Sequence, residues 1–202
     1  MRRFEGGKLL IATHNAGKLE EMRGLFAPSG IEVVSGAMLG LPEPDETENT
    51  FVGNARIKAH AAARATGLIA LGDDSGLEVD ALGGQPGVHT ADWAETPTGR
   101  DFGMAMARVH GALMAVAAGA PWRARFRCTL VLAWPDGHDE VFEGIAEGSL
   151  PWPARGAEGH GFDPMFVPVG ETRTYAEMSY SEKNSVSHRA QAIRAMMARC
   201  FT

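Results

Sequence analysis

The sequence is poor in cysteine and in long apolar runs. It contains two cysteines in 202 residues. Cys128 and Cys200 form neither a disulfide framework nor a metal-binding spacing, so we expect both thiols to be buried and free. The longest apolar run near the start, residues 9–12, is too short for a signal sequence or a membrane span. These absences predict a cytoplasmic protein with no membrane partner.

Positive charge is also scarce. The chain has 19 Lys and Arg residues against 25 Asp and Glu residues, which gives a net charge of -6. This balance argues against binding a nucleic acid polymer through a basic surface. It is compatible with a small anionic substrate, because such a substrate needs only a few placed cations and a metal ion. The length fits one or two domains, and a hydrophobic content of 45% fits a globular core.

Hydrophobic periodicity predicts alternating strands and helices in the first half of the chain and a hairpin in the second. The predicted strands are 8–13, 31–34, 68–71, 123–133, 140–145 and 165–169. The predicted helices are 18–26, 50–66, a third that begins after a Thr98 cap, and 185–200. The strand at 68–71 is expected to stop at a turn formed by residues 72–76. This order predicts an α/β fold with a mixed β-sheet and flanking helices.

Two motifs follow predicted strands in the first half. The run Thr13-His14-Asn15-Ala16-Gly17-Lys18 leads from a strand into a helix, where N–H groups and one ammonium can bind an anion. The alternative is an ordinary strand–helix turn capped by Asn15. Asp73 and Asp74 are adjacent carboxylates that attract a divalent cation, or else form a solvated acidic turn. A carboxylate of the acidic stretch at 43–48 is a candidate for a further metal ligand.

Two further motifs lie in the second half. The glycines at 159–164 let backbone approach a ligand, and the rings there can stack on a base, although a plain loop before a strand fits equally well. Lys183, His188 and Arg189 lie near a predicted helix start, where cations are unfavourable for the helix dipole. This misfit indicates a functional use, such as binding a phosphate or a base.

Six stretches, taken in order, resemble the inosine triphosphate pyrophosphatase family, also called dITP/XTP pyrophosphatases. They are ATHNAGK at 12–18, TFVGNA at 50–55, DDSGL at 73–77, LGGQPG at 82–87, GFDP at 161–164 and SHR at 187–189. Each stretch is weak alone, but six in register are specific. The resemblance covers residues 8 to about 193, nearly the whole chain.

The resemblance implies an elongated mixed sheet flanked by helices, in a single domain of two lobes (1–202) with a central cleft. It also implies a homodimer, Mg²⁺ as cofactor, and hydrolysis of ITP, dITP and XTP to the monophosphate and pyrophosphate. Asp74 should be the general base and a metal ligand, with Glu46 as a second ligand. The residues that should contact the purine nucleoside triphosphate are Thr13, His14, Asn15, Ala16, Gly17, Lys18, Ser75, His160, Gly161, Phe162, Asp163, Lys183, His188 and Arg189.

Two positions depart from the family pattern. His160 stands where the family usually has an aromatic residue, and Gly53 stands where it usually has Glu. If that Glu assists the metal in relatives, another carboxylate must do so here. Two other functions stay open: a pyrophosphatase of related fold acting on modified pyrimidine nucleotides, and a nucleotide-binding sensor without turnover.

Overall fold

A computed structural model describes residues 2–201 of the chain. The strands are β1 (Lys8–Ile11), β2 (Glu32–Ser35), β3 (Ala70–Val79), β4 (Glu95–Thr96), β5 (Gly99–Arg100), β6 (Trp122–Ala133), β7 (Asp139–Leu150) and β8 (Val167–Pro168). The helices are α1 (Ala16–Phe26), α2 (Phe51–Thr66), α3 (Phe102–Ala115), α4 (Tyr180–Val186) and α5 (His188–Cys200).

Six of the strands form one sheet with both kinds of pairing. Its order is β2-β1-β3-β6-β7-β8, and β4 pairs separately with β5. β1 is parallel to β2 and to β3, with Leu10 opposite Val34 and Ala70, whereas β7 is antiparallel to β8. The predicted mixed sheet flanked by helices is therefore confirmed.

The predicted end of the third strand at Gly72 is wrong, because β3 continues through the acidic pair to Val79. Gly72 serves a close approach of helix α2 rather than a turn. A Cβ at this position would lie 2.2 Å from the carbonyl oxygen of Ala55 and 2.9 Å from the amide nitrogen of Ala59. Asp73 and Asp74 are thus strand residues, and strand geometry fixes where their side chains point.

Helix boundaries follow capping side chains more closely than periodicity. Thr50 and Gly67 bound α2 as the sequence predicts: the Thr50 side chain accepts from the amide of Gly53, and Gly67 has a left-handed φ of 70°. The cap predicted at Thr98 is wrong. Asp101 caps α3 by accepting from the amide of Met104 at 2.9 Å, because residues 95–100 form the β4–β5 hairpin.

The single helix predicted at 185–200 is two helices. Helix α4 begins at a capping box in which the side chains of Ser179 and Glu182 each accept from the other residue's amide. Ser187 then takes an extended conformation (φ −72°, ψ 153°), and α5 begins at His188.

The chain divides into two compact units. The first unit comprises the described residues of Met1–Asp74, Cys128–Gly144 and Arg189–Thr202. It has two buried clusters, one built around Leu9, Ile11 and Leu71 and one around Leu10, Ala70 and the alanines of α2. Because side chains alternate along a strand, these clusters lie on opposite faces of the sheet.

The second unit comprises Ser75–Arg127 and Ile145–His188. Its core is a single cluster that includes Leu77, Val109, Phe126 and Phe166. The prediction of one domain with two lobes stays a prediction. Both cysteines are buried and neither forms a disulfide, as expected. Within residues 2–201, no helix is long and apolar enough to cross a membrane.

Candidate active site

The turn between β1 and α1 is an ordered helix N-terminus. The Asn15 side chain accepts from the amide of Lys18 at 3.0 Å, and the Thr13 hydroxyl accepts from the amide of Asn15 at 3.1 Å. Ala16 and Gly17 form the first turn of α1. The cap that the sequence offered as the alternative reading is therefore present, and it orients the very N–H groups that an anion site needs.

The His14 side chain points away from the first turn of α1 and contacts a loop later in the chain. Its Nε2 lies 2.9 Å from the carbonyl oxygen of Leu41, and its Nδ1 lies 4.0 Å from a carboxylate oxygen of Glu43. The ring thereby links the β1–α1 turn to residues 41–49, an irregular segment rich in carboxylates that we call the acidic loop.

Asp73 and Asp74 face opposite sides of the sheet, because successive strand residues alternate. Asp73 forms an ion pair with Lys18, whereas Asp74 lies 3.3 Å from the ammonium nitrogen of Lys58 on helix α2. The two ion-pair partners therefore lie on different helices, and the prediction of a divalent cation at the acidic pair stays a prediction. Each carboxylate pairs directly with a different lysine, although each lysine also acts electrostatically on the other carboxylate.

Asp73 is buried, and its carboxylate accepts from three donors. Lys18 binds Oδ1, while the Arg189 Nε (3.1 Å) and the Cys128 thiol (3.2 Å) bind Oδ2. Burial alone would raise the pKa of Asp73, but the ammonium of Lys18 and the guanidinium of Arg189 hold it well below its usual range. Asp73 is therefore a permanently ionised group that positions cations.

Asp74 has the opposite electrostatic character. Burial raises the pKa of Asp74 to about 6, although the ammonium groups of Lys58 and Lys18 act in the lowering direction. A carboxylate with a pKa in this range can accept a proton near neutral pH. Among the predicted residues, Asp74 thus has the properties of a general base.

Lys58 is a site residue that the sequence reasoning missed. Its Nζ donates to Glu46 at 2.9 Å and to Asp74 at 3.3 Å, so it brings the two predicted metal ligands together. Burial lowers the pKa of Lys58, but Asp74 and Glu46 outweigh it and leave the pKa raised. The sequence does contain an indication of it. This lysine lies among the alanines on one face of α2, and a charged side chain in such an apolar position requires a partner of opposite charge.

Arg189 is enclosed within the first unit. Its guanidinium pairs with Asp73 and with Glu21 of α1, and these ion pairs raise its pKa further, although burial acts against them. Glu21 was also missed from the sequence. It lies one turn after Lys18, so α1 carries both a cation and the carboxylate that holds Arg189.

In the second unit, the loop at 159–163 closes around the Asp163 carboxylate. Asp163 Oδ2 accepts from Lys183 Nζ at 2.6 Å and from the His160 amide at 2.8 Å. A Cβ on Gly159, whose φ is +75°, would lie 2.1 Å from that same oxygen. The structure therefore brings together His160, Asp163 and Lys183 from two separate sequence motifs, and the position of Gly159 requires glycine.

The remaining predicted residues of this unit are more enclosed. Phe162 is buried and lies edge-on to Phe102 at 5.7 Å, and His188 stacks on Phe126 at 4.8 Å. Gly161 precedes Phe162 with a left-handed φ of 68°. Ser75, the next residue of β3 after the acidic pair, is half-buried. Roles in substrate binding for these residues stay predictions.

The chain is similar to several known proteins over nearly its full length. A model of the Ham1 family matches residues 9–199. The dITP/XTP pyrophosphatase of Ruegeria pomeroyi is 66% identical over 200 residues, covering 99% of this chain and 98% of the relative. The dITP/XTP pyrophosphatase of Rhodospirillum centenum is 54% identical over 200 residues, covering 99% of this chain and 98% of that relative. A solved HAM1 protein from Coxiella burnetii is similar with a TM-score of 0.85 and 35% identity, covering 95% of this chain and 96% of that one.

Proposed function

The chain belongs to the Ham1 family, and from that premise we propose that it hydrolyses noncanonical purine nucleoside triphosphates (ITP, dITP and XTP) to the monophosphate and pyrophosphate. It is a pyrophosphatase that removes deaminated purines from the nucleotide pool. The observation that carries the proposal is Asp74, a buried carboxylate whose pKa is raised to about 6 beside Lys58 and Glu46. The names of its relatives support the substrate class.

The triphosphate is bound by the turn between β1 and α1. Thr13 and Asn15 orient the peptide N–H groups of the first turn of α1, and Lys18 supplies an ammonium that already pairs with Asp73. Because Asp73 keeps its negative charge, Lys18 keeps its position before a phosphate arrives. These groups orient the triphosphate and neutralise part of its charge.

Asp74 and Glu46 fit a magnesium site. Both offer carboxylate oxygens, the ligands that Mg²⁺ prefers, and both already hold a cation in common, the Lys58 ammonium. Mg²⁺, when bound there, screens the charge of the triphosphate. Lys58 is the group that a metal ion on these oxygens would release towards a phosphate.

Asp74 takes the proton of the attacking water. Without a bound metal ion, its pKa of about 6 leaves it ionised at neutral pH and able to accept a proton. Attack at the α-phosphorus breaks the bond to the β-phosphate, so pyrophosphate leaves intact. On the other face of β3, the Arg189 guanidinium donates to the Asp73 carboxylate and holds that side chain in place.

The loop at 159–163, together with Lys183 and His188, is the part of the second unit proposed to contact the nucleoside. Inosine and xanthine present a 6-oxo acceptor and an N1–H donor, whereas adenine presents the reverse. A donor aimed at O6 therefore rejects adenine, since an unpaired buried group costs about 1–3 kcal/mol. A donor facing position 2 would accept the 2-oxo group of xanthine and reject the 2-amino group of guanine.

We also propose a homodimer acting in the cytoplasm, with no nucleic acid polymer as partner. Support for a protein interface comes from large apolar side chains exposed on α3, including Met104 and Met114, which are 42% and 52% exposed. Sedimentation equilibrium of the purified chain gives the oligomeric state directly.

The reaction is tested with ITP in H₂¹⁸O. Attack at the α-phosphorus places the label in IMP and leaves the pyrophosphate unlabelled, which mass spectrometry of the two products measures. Label in the pyrophosphate, or release of inorganic phosphate in place of pyrophosphate, would contradict the proposal.

A further inference from the structure

Helix α2 holds Asp74 and the acidic loop together through two side chains one turn apart. Lys58 donates to Glu46 of the loop at 2.9 Å and to Asp74 Oδ1 at 3.3 Å. Asn54 repeats this arrangement four residues earlier. Its Oδ1 accepts from the amide of Glu48 at 2.9 Å, and its Nδ2 lies 3.5 Å from Asp74 Oδ2.

We propose that Asn54 is a positioning residue for the metal carboxylates, which ties the loop carrying Glu46 to Asp74. The proposal rests on the proposed function for the metal ligands. Asn54 is 2% exposed, so its amide is shielded from bulk solvent. Each oxygen of Asp74 is thereby engaged by a different residue of α2, and each of those residues also holds the loop.

Gly53 is what allows the loop to reach Asn54. A Cβ at position 53 would lie 2.6 Å from Glu48 Cβ and 2.7 Å from Glu48 Cγ, so the Glu48 side chain packs directly on the glycine. The atoms that would be displaced are at the base of the Glu48 side chain, not at its flexible end. Any larger residue at 53 therefore has to push the loop backbone away from α2, and with it the Glu48 amide that Asn54 binds.

This arrangement has a consequence for metal binding that is separate from folding. The loop has no regular secondary structure, so its position depends on contacts such as these. Loosening it moves Glu46 relative to Asp74 and weakens any site that needs both oxygens. Groups that orient ligands typically change metal affinity by about 10–100-fold when they are altered.

The test is Gly53→Ala, compared with Gly111→Ala. Both glycines are helical, and alanine is the better helix former at both positions. Around Gly111, no described atom lies within 4 Å of an added Cβ. Mn²⁺ serves as the probe in the absence of nucleotide, and electron paramagnetic resonance of the free ion gives its dissociation constant. Thermal unfolding is measured on the same samples.

We expect Gly53→Ala to raise the dissociation constant for Mn²⁺ by about tenfold while the protein stays folded at the assay temperature, whereas Gly111→Ala leaves the constant unchanged. Asn54→Ala should weaken Mn²⁺ binding in the same direction, with Asn49→Ala, an exposed position, as its control. In an ITP assay, Gly53→Ala should need more Mg²⁺ for half-maximal rate but keep kcat within about threefold at saturating Mg²⁺.

Wild-type affinity for Mn²⁺ in Gly53→Ala would overturn the proposal, and so would an equal loss in Gly111→Ala. Absence of Mn²⁺ binding to the wild-type protein would overturn it as well. If the wild-type protein binds Mn²⁺ and the variants behave as expected, but no pyrophosphate is released from ITP, the positioning role stands and the proposed function fails.

Discussion

At the scale of single residues, two neighbouring aspartates differ because the strand sends their side chains to opposite faces. Asp73 accepts from Lys18 and Arg189, which hold its pKa well below the usual range. For Asp74, burial outweighs the nearby lysines and raises the pKa to about 6. One carboxylate is therefore fixed as a negative charge, and the other can exchange a proton near neutral pH.

Replacing Asp74 by asparagine should reduce kcat for ITP by at least about 10²-fold, since it removes the proton acceptor and a metal charge while keeping the size. Steady-state kinetics measure this loss, and circular dichroism checks the fold. Asp45→Asn, in the exposed part of the acidic loop, is the matched control. A near-normal kcat in Asp74→Asn would mean that another group activates the water.

The raised pKa of Asp74 also predicts a pH dependence. Asp74 is ionised only above about pH 6, so kcat/KM at low Mg²⁺ should fall as the pH drops through that value. Mg²⁺ binds the ionised form, so raising its concentration should move the acid limb to lower pH. The measurement is kcat/KM against pH at two Mg²⁺ concentrations. An acid limb that does not move with Mg²⁺ would contradict the assignment of Asp74 as a ligand.

The sequence could predict residue types at this scale but not their partners. The β1–α1 turn indicated an anion site with Lys18, the acidic pair indicated a cation site, and the family resemblance assigned the general base to Asp74. Lys58 and Glu21 were not found, because their partners are set by which helix crosses which face of the sheet. Arg189 meets Asp73 from 116 positions away along the chain, a pairing that no local pattern contains.

At the scale of elements, the packing of α2 on β3 brings the residues around Asp74 together. Gly72 brings the helix close enough for Asn54 and Lys58 to reach Asp74, since a Cβ there would lie 2.2 Å from the backbone oxygen of Ala55. The apolar cluster around Leu10 and the alanines of α2 packs the helix against the sheet. The site geometry is thus a product of close helix–sheet contact.

Gly72→Ala should destabilise the protein, because the added methyl group meets backbone that cannot move aside. Overpacking of this kind costs about 1–3 kcal/mol, which lowers Tm by roughly 2–12 °C at this chain length. Differential scanning calorimetry measures the shift, with Gly111→Ala as the control in open space. An unchanged Tm for Gly72→Ala would show that α2 and β3 are less tightly packed than described.

Elements were predicted best where a periodic pattern and a capping residue agree. Helix α2 has both, with Thr50 and Gly67 at its ends. The prediction of a turn at Gly72 failed, because nothing in the local sequence shows that a helix packs against the strand there. The prediction of a single helix failed at Ser187 for a related reason. One extended residue separates α4 from α5, and the spacing of the apolar residues does not indicate this break.

At the scale of the whole molecule, a net charge of -6 coexists with the site that we propose for a highly charged anion. The structure resolves this by placing a few cations, the half-buried Lys18 and the buried Lys58 and Arg189, each held by carboxylates. The sequence predicted the mixed sheet and the family, since six motifs in order carry more information than any one. How the two compact units divide the chain did not follow from the motifs.

The most direct test of the central claim is kcat/KM for pyrophosphate release across ITP, dITP, XTP, ATP, GTP and a set of modified pyrimidine triphosphates, with Mg²⁺. We predict that ITP, dITP and XTP are preferred over ATP by about 10²-fold or more, because a hydrogen-bonding mismatch at the 6-position leaves buried groups unpaired. Equal rates with ATP, a preference for a modified pyrimidine, or binding of ITP without pyrophosphate release would contradict it.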